Sequence, residues 1–438
     1  MRRLLLMSLL LFVFPARAQT GGKTAIPEVQ KIVDSVSRDR LETIIRKLES
    51  FESRSTLSDT TSPTRGIGAA RQWIYDQFKS FSPRLEVTFD TYQVAKTGRI
   101  TKDTDLRNVV AVLPGDDPAS RDRRILISGH YDSTLQGPNG PLPEQVQRAP
   151  GANDDASGVA AVLECARILS QYQFAHTLVF VAFAGEEQGL VGSTLMAARA
   201  RKENWQIDAV MNNDIIGNSL GGNGLIDNHT VRVFSEEPND SLSRQVARYI
   251  KDVGPRYTPS MNVALIFRYD RFGRGGDHTP FNLEGYPAVR LTVPDENYSR
   301  QHTVEDTFEG VDLDYLSRVV RINAASLATL ARAPSAPIVV DDRGQPMLGR
   351  GPSRYDAALK WNVSGGNPAG YAVVMRKTTS ADWEREIYVG NVTEYILKDV
   401  SVDEWVFGVR AIGQDGAESL TSAYVNPPRT KTIYKTLP

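Results

Sequence analysis

Two adjacent glutamates, Glu186 and Glu187, follow the apolar run FVAFAG at residues 180–185. Burying one unpaired carboxylate is costly and burying two that repel each other costs more, so a strand ending on such a pair calls for a cation there. Other apolar runs lead into similar chemistry: ISGHYDS carries His130 and Asp132, and MNNDIIG carries Asp214. The Gly-rich APGANDDASG carries Asp154 and Asp155, and SRQHTVEDTFEG carries His302 and Asp306. Imidazole plus carboxylate, without thiolate, suits zinc or a similar transition metal better than calcium or magnesium, which favour all-oxygen shells. Three carboxylate ligands overload one divalent ion but balance two once a bridging hydroxide is counted, which predicts a metal pair about 3.5–4 Å apart. Neighbouring side chains diverge in extended backbone, so one glutamate can bind metal while the other deprotonates a water that the metals acidify. Such a water attacks a carbonyl carbon at neutral pH.

Residues this far apart converge only if the elements carrying them end on one side. Apolar periodicity alternates between strand and helix type up to about residue 330. Strands are predicted at 85–89, 108–114, 124–130, 177–185, 207–217, 262–270 and 287–293, with helices at 67–81, 157–172, 190–204, 240–253 and 312–333. That order predicts an α/β fold, a mostly parallel central sheet with helices on both faces. The carboxyl ends of its strands share one crevice. Segment 331–347, with three prolines, reads as a linker, and the short strand patterns after it predict a small all-β sandwich over 334–438. Trp361, Tyr371 and WVFGVRAIGQDGAES in that region resemble a fibronectin type III-like module. It carries no convergent catalytic set and reads as a spacer or as a module that contacts a surface or polymer.

Residues 1–18 have Arg2 and Arg3, an apolar run from Leu4 to Phe14 and a small-x-small site at Ala16–Ala18. This is the pattern of a cleavable signal peptide, too short in its apolar run to span a membrane, and it predicts a secreted or periplasmic protein. The single cysteine, Cys165, leaves no intrachain disulfide and reads as a small buried hydrophobe. Lys plus Arg number 51 against 52 acidic residues, without a long block of either sign, so neither nucleic acid nor an anionic membrane is an expected partner.

Taken in order, HYD, GANDDASG, GEE, NND, GGDH and HTVEDT resemble the M28 family of zinc peptidases over about residues 35–333. The resemblance implies a zinc exopeptidase-like fold, two zinc ions per chain and peptide substrates. It implies that Asp154 bridges the metals, that His130 and Asp214 complete one shell, and that Glu187 and His302 complete the other. Glu186 becomes the general base, Asp132 is expected to orient His130, and Asp306 to support His302. A cis peptide between Asp154 and Asp155 is implied as well. An aminopeptidase is the leading expectation. A carboxypeptidase or dipeptidase, a glutaminyl cyclase-like enzyme and a non-catalytic binding ectodomain are the alternatives. Some bacterial members place a tyrosine between two disulfide-bonded cysteines in the loop before the DH pair, and YDRFGRGGDH departs from them in having no cysteine. Arg274 stands nearest that position, where a guanidinium could stabilise an oxyanion or grip a substrate carboxylate. His278 reads as a cap or pocket wall, and His176 and His229 as structural.

Overall fold

The computed structural model describes residues 25–137, 140–141 and 148–426; residues 1–18, with their signal-peptide pattern, lie outside them. Three helices open the described chain: α1 (Pro27–Asp34), α2 (Arg38–Glu49) and α3 (Gly66–Phe81). The Ser37 side chain starts α2 by accepting from Arg40 N, which satisfies one of the amide donors a helix leaves free. An eight-stranded sheet follows, formed by β1 (Glu86–Val94), β2 (Thr104–Leu113), β3 (Arg123–His130), β4 (Thr177–Phe183), β5 (Gln206–Asn213), β6 (Thr230–Ser235), β7 (Asn262–Ile266) and β8 (Ala288–Thr292). Their order across the sheet is β1-β2-β4-β3-β5-β8-β6-β7. The central four, β4-β3-β5-β8, run parallel. The edges are mixed, since β1, β2 and β6 pair antiparallel with inner neighbours and β7 joins β6 in parallel.

Parallel neighbours need crossover helices. α4 (Ala156–Leu169) joins β3 to β4, α5 (Val191–Lys202) joins β4 to β5, α6 (Leu242–Tyr257) joins β6 to β7, α7 (His278–Leu283) precedes β8, and α8 (Leu313–Arg332) closes the unit. Alternate residues of the central strands feed two cores. Ile125 and Ile127 of β3 join Leu178, Phe180 and Ala182 of β4 in a large core built with α1 to α4, α6 and α8. Leu126, Val179, Val181 and Phe183 face a smaller core with Met196 and Ala197 of α5 and Phe281 of α7. Burial on both faces is why these strands read as continuous apolar runs. Cys165 is buried in the large core. The sequence pattern does not single out β6, because Arg232 interrupts a short run. The strands predicted at 207–217 and 262–270 end early, at Asn213 and Ile266. No helix among the described residues is long and apolar enough to cross a membrane.

Beyond α8, β9 (Leu348–Gly349), β10 (Ala357–Lys360), β11 (Gly370–Lys377), β12 (Arg385–Gly390), β13 (Glu394–Leu397), β14 (Trp405–Ile412) and β15 (Ser422–Ala423) form two antiparallel sheets, ordered β9-β10-β13 and β12-β11-β14-β15. Trp361, Tyr371, Val373, Phe407 and Val409 share their core. Segment 331–347 is more than a tether: Ile338 bridges Asn362, and Val340 bridges Pro346. These sheets dock on α6 through charge. Arg410 Nη1 lies 2.6 Å from Asp252 and 3.1 Å from Glu418. Arg256 reaches the same two acids, and Arg376 holds Asp240 at 2.6 Å. Ala417 and Leu420 join the large core.

Arg410 is 4 % exposed, so removing it leaves carboxylates facing a space where water solvates them poorly. Arg410→Ala is expected to lower the unfolding free energy by about 3 kcal/mol, the low end for a broken buried pair because Arg256 still holds both acids. Denaturant unfolding of the purified variant measures this, and an unchanged midpoint and slope would contradict it.

Candidate metal centre

The strand ends meet because β3 lies between β4 and β5 in parallel register. His130, the last residue of β3, stands opposite Phe183, the last of β4. Glu186 and Glu187 follow β4, and Asp214 follows β5 by one residue, so all leave the sheet at the same end. Asp155 fastens these exits together. Its Oδ1 accepts from Gly158 N at 2.9 Å, capping α4, and from Ile215 N at 3.2 Å, while Oδ2 accepts from His130 N at 3.1 Å. A Cβ at Gly158 would stand 2.3 Å from both Asn213 O and Asp155 Oδ2, so only glycine lets α4 come this close to β5. The Asp154–Asp155 peptide is cis, as the resemblance implied. His302 sits at φ 58, a left-handed conformation uncommon outside glycine.

The expected ligand residues converge. His130 Nε2 is 3.1 Å from Asp154 Oδ1 and 3.7 Å from Asp214 Oδ1. His302 Nε2 is 2.9 Å from Asp154 Oδ2 and 3.1 Å from Glu187 Oε1. Three groups, His130–Asp154–Asp214, Asp154–Glu187–His302 and His130–Glu186–Glu187, each place their donor atoms within 4.8 Å of one another. Glu187 Oε1 is buried and accepts no hydrogen bond of acceptable geometry despite its nearness to His302. Such an orphan acceptor among nitrogen and oxygen donors is what a metal ligand looks like without its ion, and the set fits a transition metal. Above it opens a cleft of about 340 Å³, lined also by Arg99, Gln136, Leu190, Arg271 and Arg274.

The electrostatics carry the same demand for a cation. Burial opposes charge on His130, yet hydrogen bonds to Asp132, Asp154 and Asp214 hold its imidazole well above the usual range. Burial likewise opposes charge on His302, but Glu187 and Asp154 push it up to about 11. Asp154 stays well below the usual carboxylate range despite burial, because both imidazoles bond to it. Glu186 goes the other way: burial raises it well above its usual value, and the charges of Glu187, Asp214 and Asp277 add to this. A carboxylate with raised proton affinity is suited to accept a proton.

The second rank of residues differs in part from expectation. His130 Nδ1 bonds to the backbone oxygen of Asp132 at 3.1 Å, with the carboxylate at 3.5 Å. The Asp132 carboxylate accepts from the amides of Glu186 and Glu187 and from the Thr56 hydroxyl, so it positions the glutamate turn as well as the imidazole. Asp306 does not bond to His302 as expected. It accepts from Asn153 N and Asp154 N, each at 3.0 Å, because a carboxylate seeks free amides and the loop before α4 offers two. Arg274 lines the cleft but is drawn to Glu296 Oε2 at 3.3 Å, which Arg271 also holds at 2.8 Å. His278 turns its Nε2 to Tyr269 O, while His176 and His229 lie away from the cluster.

Four participants escape sequence reasoning. Arg290, fully buried, pairs with Asp214 at 3.1 Å and Asp270 at 3.3 Å; its signal was a lone charge inside PAVRLTV. Gln301 donates to Asp154 Oδ2 at 2.9 Å. Asp277 is buried with neither oxygen in a well-formed hydrogen bond. Arg54 is buried behind the loops and carries no periodic signal.

An open α/β sheet whose strand ends gather two histidines and several carboxylates defines a metallohydrolase-type centre. The model of peptidase family M28 matches residues 108–327, and the chain belongs to that family. A probable zinc metalloprotease of Pyricularia oryzae is 40% identical over 433 residues, covering 90% of this chain and 83% of that protein. One of Leptosphaeria maculans is 37% identical over 426 residues, covering 90% and 95%. Among solved structures, the Legionella pneumophila LapA aminopeptidase superposes with a TM-score of 0.53 at 23% identity, over 69% of this chain and 74% of that one. The glutaminyl cyclase of Macrostomum lignano superposes with 0.54 at 18% identity, over 70% and 94%. These two likenesses establish the fold.

Burial pushes the Asp277 carboxyl up to about 7, above its usual 3.8. Between those values the folded chain holds a proton that the unfolded chain has lost, so this group makes stability fall as pH rises from about 4 to 7. Asp277→Asn removes that penalty. In chelated protein the stabilisation by Asp277→Asn should be about 3 kcal/mol larger at pH 8 than at pH 5. Equal effects at both pH values in denaturant titrations would refute the assignment.

Proposed function

We propose that the protein is an exported two-zinc aminopeptidase that removes amino-terminal residues from peptides. The observation that carries this reading is the Asp154 carboxylate, whose two oxygens face different imidazoles at 3.1 and 2.9 Å. Each side then has its own acid, Asp214 with His130 and Glu187 with His302. The curated relatives named as zinc metalloproteases support zinc as the metal. When bound, a zinc pair polarises the scissile carbonyl and acidifies a water. Glu186, on the cleft wall, takes the proton from that water as its oxygen bonds to the carbonyl carbon, then delivers it to the leaving amine as the C–N bond breaks. Asp132 holds the backbone amides of both glutamates, which fixes Glu186 facing the cleft while Glu187 turns to His302.

Charge supports attack at the amino end, since Glu186 stands on the cleft wall outside the proposed ligand set, where zinc does not take up its charge and a carboxylate favours a cationic α-amine. The guanidiniums on the cleft wall already have partners: Arg271 holds Asp270 and Glu296, Arg274 holds Glu296, and Arg99 donates to the Glu187 carbonyl. That weighs against the carboxypeptidase reading. A volume of about 340 Å³ suits one terminal residue and its scissile bond, which supports exopeptidase action. The LapA aminopeptidase neighbour points the same way. The two C-terminal sheets support the fibronectin type III-like reading, with a spacer or surface-contacting role.

The test is an assay of amino-acid p-nitroanilides against N-blocked dipeptides, with zinc measured on the same sample. Two zinc ions per chain and cleavage of the free-amine substrates are expected. Glu186→Gln should lower kcat about 10²–10⁴-fold with zinc still bound, because an amide cannot accept the proton. Cleavage confined to N-blocked substrates would transfer the assignment to a carboxypeptidase, and ammonia release from amino-terminal glutamine without hydrolysis would transfer it to a cyclase. Export rests on residues 1–18, and the amino terminus of secreted protein should be Gln19. Retention of Met1 in exported material would refute cleavage.

A further inference from the structure

Arg54 is 0 % exposed and lies outside the groups that could hold a metal. Its guanidinium is committed to main chain instead. Nε donates to Tyr131 O at 2.8 Å, Nη1 to Pro150 O at 2.6 Å and Leu48 O at 3.1 Å, and Nη2 to Gly151 O at 2.7 Å. The backbone at Arg54 is held too, since its amide donates to Ser133 Oγ at 3.1 Å. These carbonyls belong to three segments: the end of α2, the exit of β3 between His130 and Asp132, and the loop that carries Asp154. Space is reserved for the contact. Gly151 stands at φ 54, and a Cβ there would come within 2.7 Å of Arg54 Nη2, of Asp154 O and of Ser133 Cβ.

A buried cation bonded only to neutral carbonyls is expensive unless charge of the other sign stands close by. No carboxylate among the described residues forms a salt bridge with Arg54, yet Asp306, Asp132, Asp155 and Asp154 all act on it through space, while burial lowers its pKa to about 10. The guanidinium is fully buried and does not line the cleft, although four carboxylates of the site act on it.

We propose that Arg54 is a positioning residue of the metal centre: its fork locks the β3 exit to the Asp154 loop, and its charge offsets the carboxylates behind the ligands. This rests on the zinc reading above. An ordinary packing role predicts lost stability alone, whereas positioning predicts weakened metal binding in protein that remains folded.

The experiment measures zinc affinity by competition with a chromophoric chelator, well below the melting temperature, for wild type, Arg54→Met, Arg54→Lys and Gly151→Ala. Arg376→Met is the control, because Arg376 is equally buried and donates to the carbonyls of Lys377 and Ser380, but in the C-terminal sheets. Arg54→Met is expected to weaken zinc binding about 10–100-fold, the usual cost of losing a partner behind a ligand, and Arg54→Lys to recover part of it through charge. Gly151→Ala should weaken zinc binding as well, and because its Cβ also meets Asp154 O, the loss is assigned to the fork only if it is smaller in an Arg54→Lys background than alone, a comparison that stands even if Arg54→Met does not fold. Arg376→Met should lower the melting temperature and leave zinc affinity unchanged. Wild-type affinity in folded Arg54 and Gly151 variants would overturn the proposal, as would an equal loss in the Arg376→Met control. If wild type itself binds no zinc, the functional reading fails first and the role of Arg54 falls with it.

Discussion

Carboxylates gathered where water is scarce repel one another by several kcal/mol unless cations stand among them. Asp132, Asp154, Asp155, Glu187, Asp214, Asp277 and Asp306 are all buried at one end of the central sheet, and much of the surrounding structure answers that repulsion. On the cleft side stand the imidazoles of His130 and His302. Arg54 and Arg290 are further cations, the first bonded to carbonyls and the second to Asp214 and Asp270. The site thus draws on two kinds of cation, imidazoles among the candidate metal ligands and guanidiniums outside that set.

Geometry makes this arrangement possible. Strands β4, β3 and β5 are parallel neighbours, so their exits form a row, and Asp155 ties that row to the start of α4 through three amides. The acids therefore divide into two kinds. Asp155 and Asp306 are saturated by backbone donors and shape the loops, whereas Asp154, Glu187 and Asp214 keep oxygens turned toward the histidines. Burial pushes Asp306 up to about 7, and the two amides and Arg54 oppose that rise.

Much of this was legible in the sequence, for a physical reason. Four of the five ligand candidates, all but His302, follow an apolar run or a Gly-rich turn, and a charge directly after a buried strand has few explanations other than a site. The parallel centre of the sheet was legible through its continuous apolar runs. What escaped depends on contacts that leave no local pattern. The partners of Arg54 are main-chain carbonyls, which every sequence possesses. Asp306 serves two amides of a loop more than 150 positions earlier, rather than the histidine four residues before it. The ion pairs that seat the C-terminal sheets on α6, such as Arg410 with Asp252, join positions 158 apart, and neither residue stands out in its own segment. Arg290 was the exception, since a lone arginine within an apolar strand announces a buried partner.

The alternation of β3 between two cores bears on how this family member can change over time. Ile125 and Ile127 belong to one core and Leu126 to the other, and the strand ends on His130. Losing or gaining one residue inside β3 would exchange the two sets and turn the imidazole to the opposite face of the sheet. Substitution by apolar residues of similar volume keeps this arrangement, while a frame-preserving insertion or deletion destroys it. A change of length is better absorbed outside the ladder, as in the turn at 221–224, where an added residue shifts no strand register.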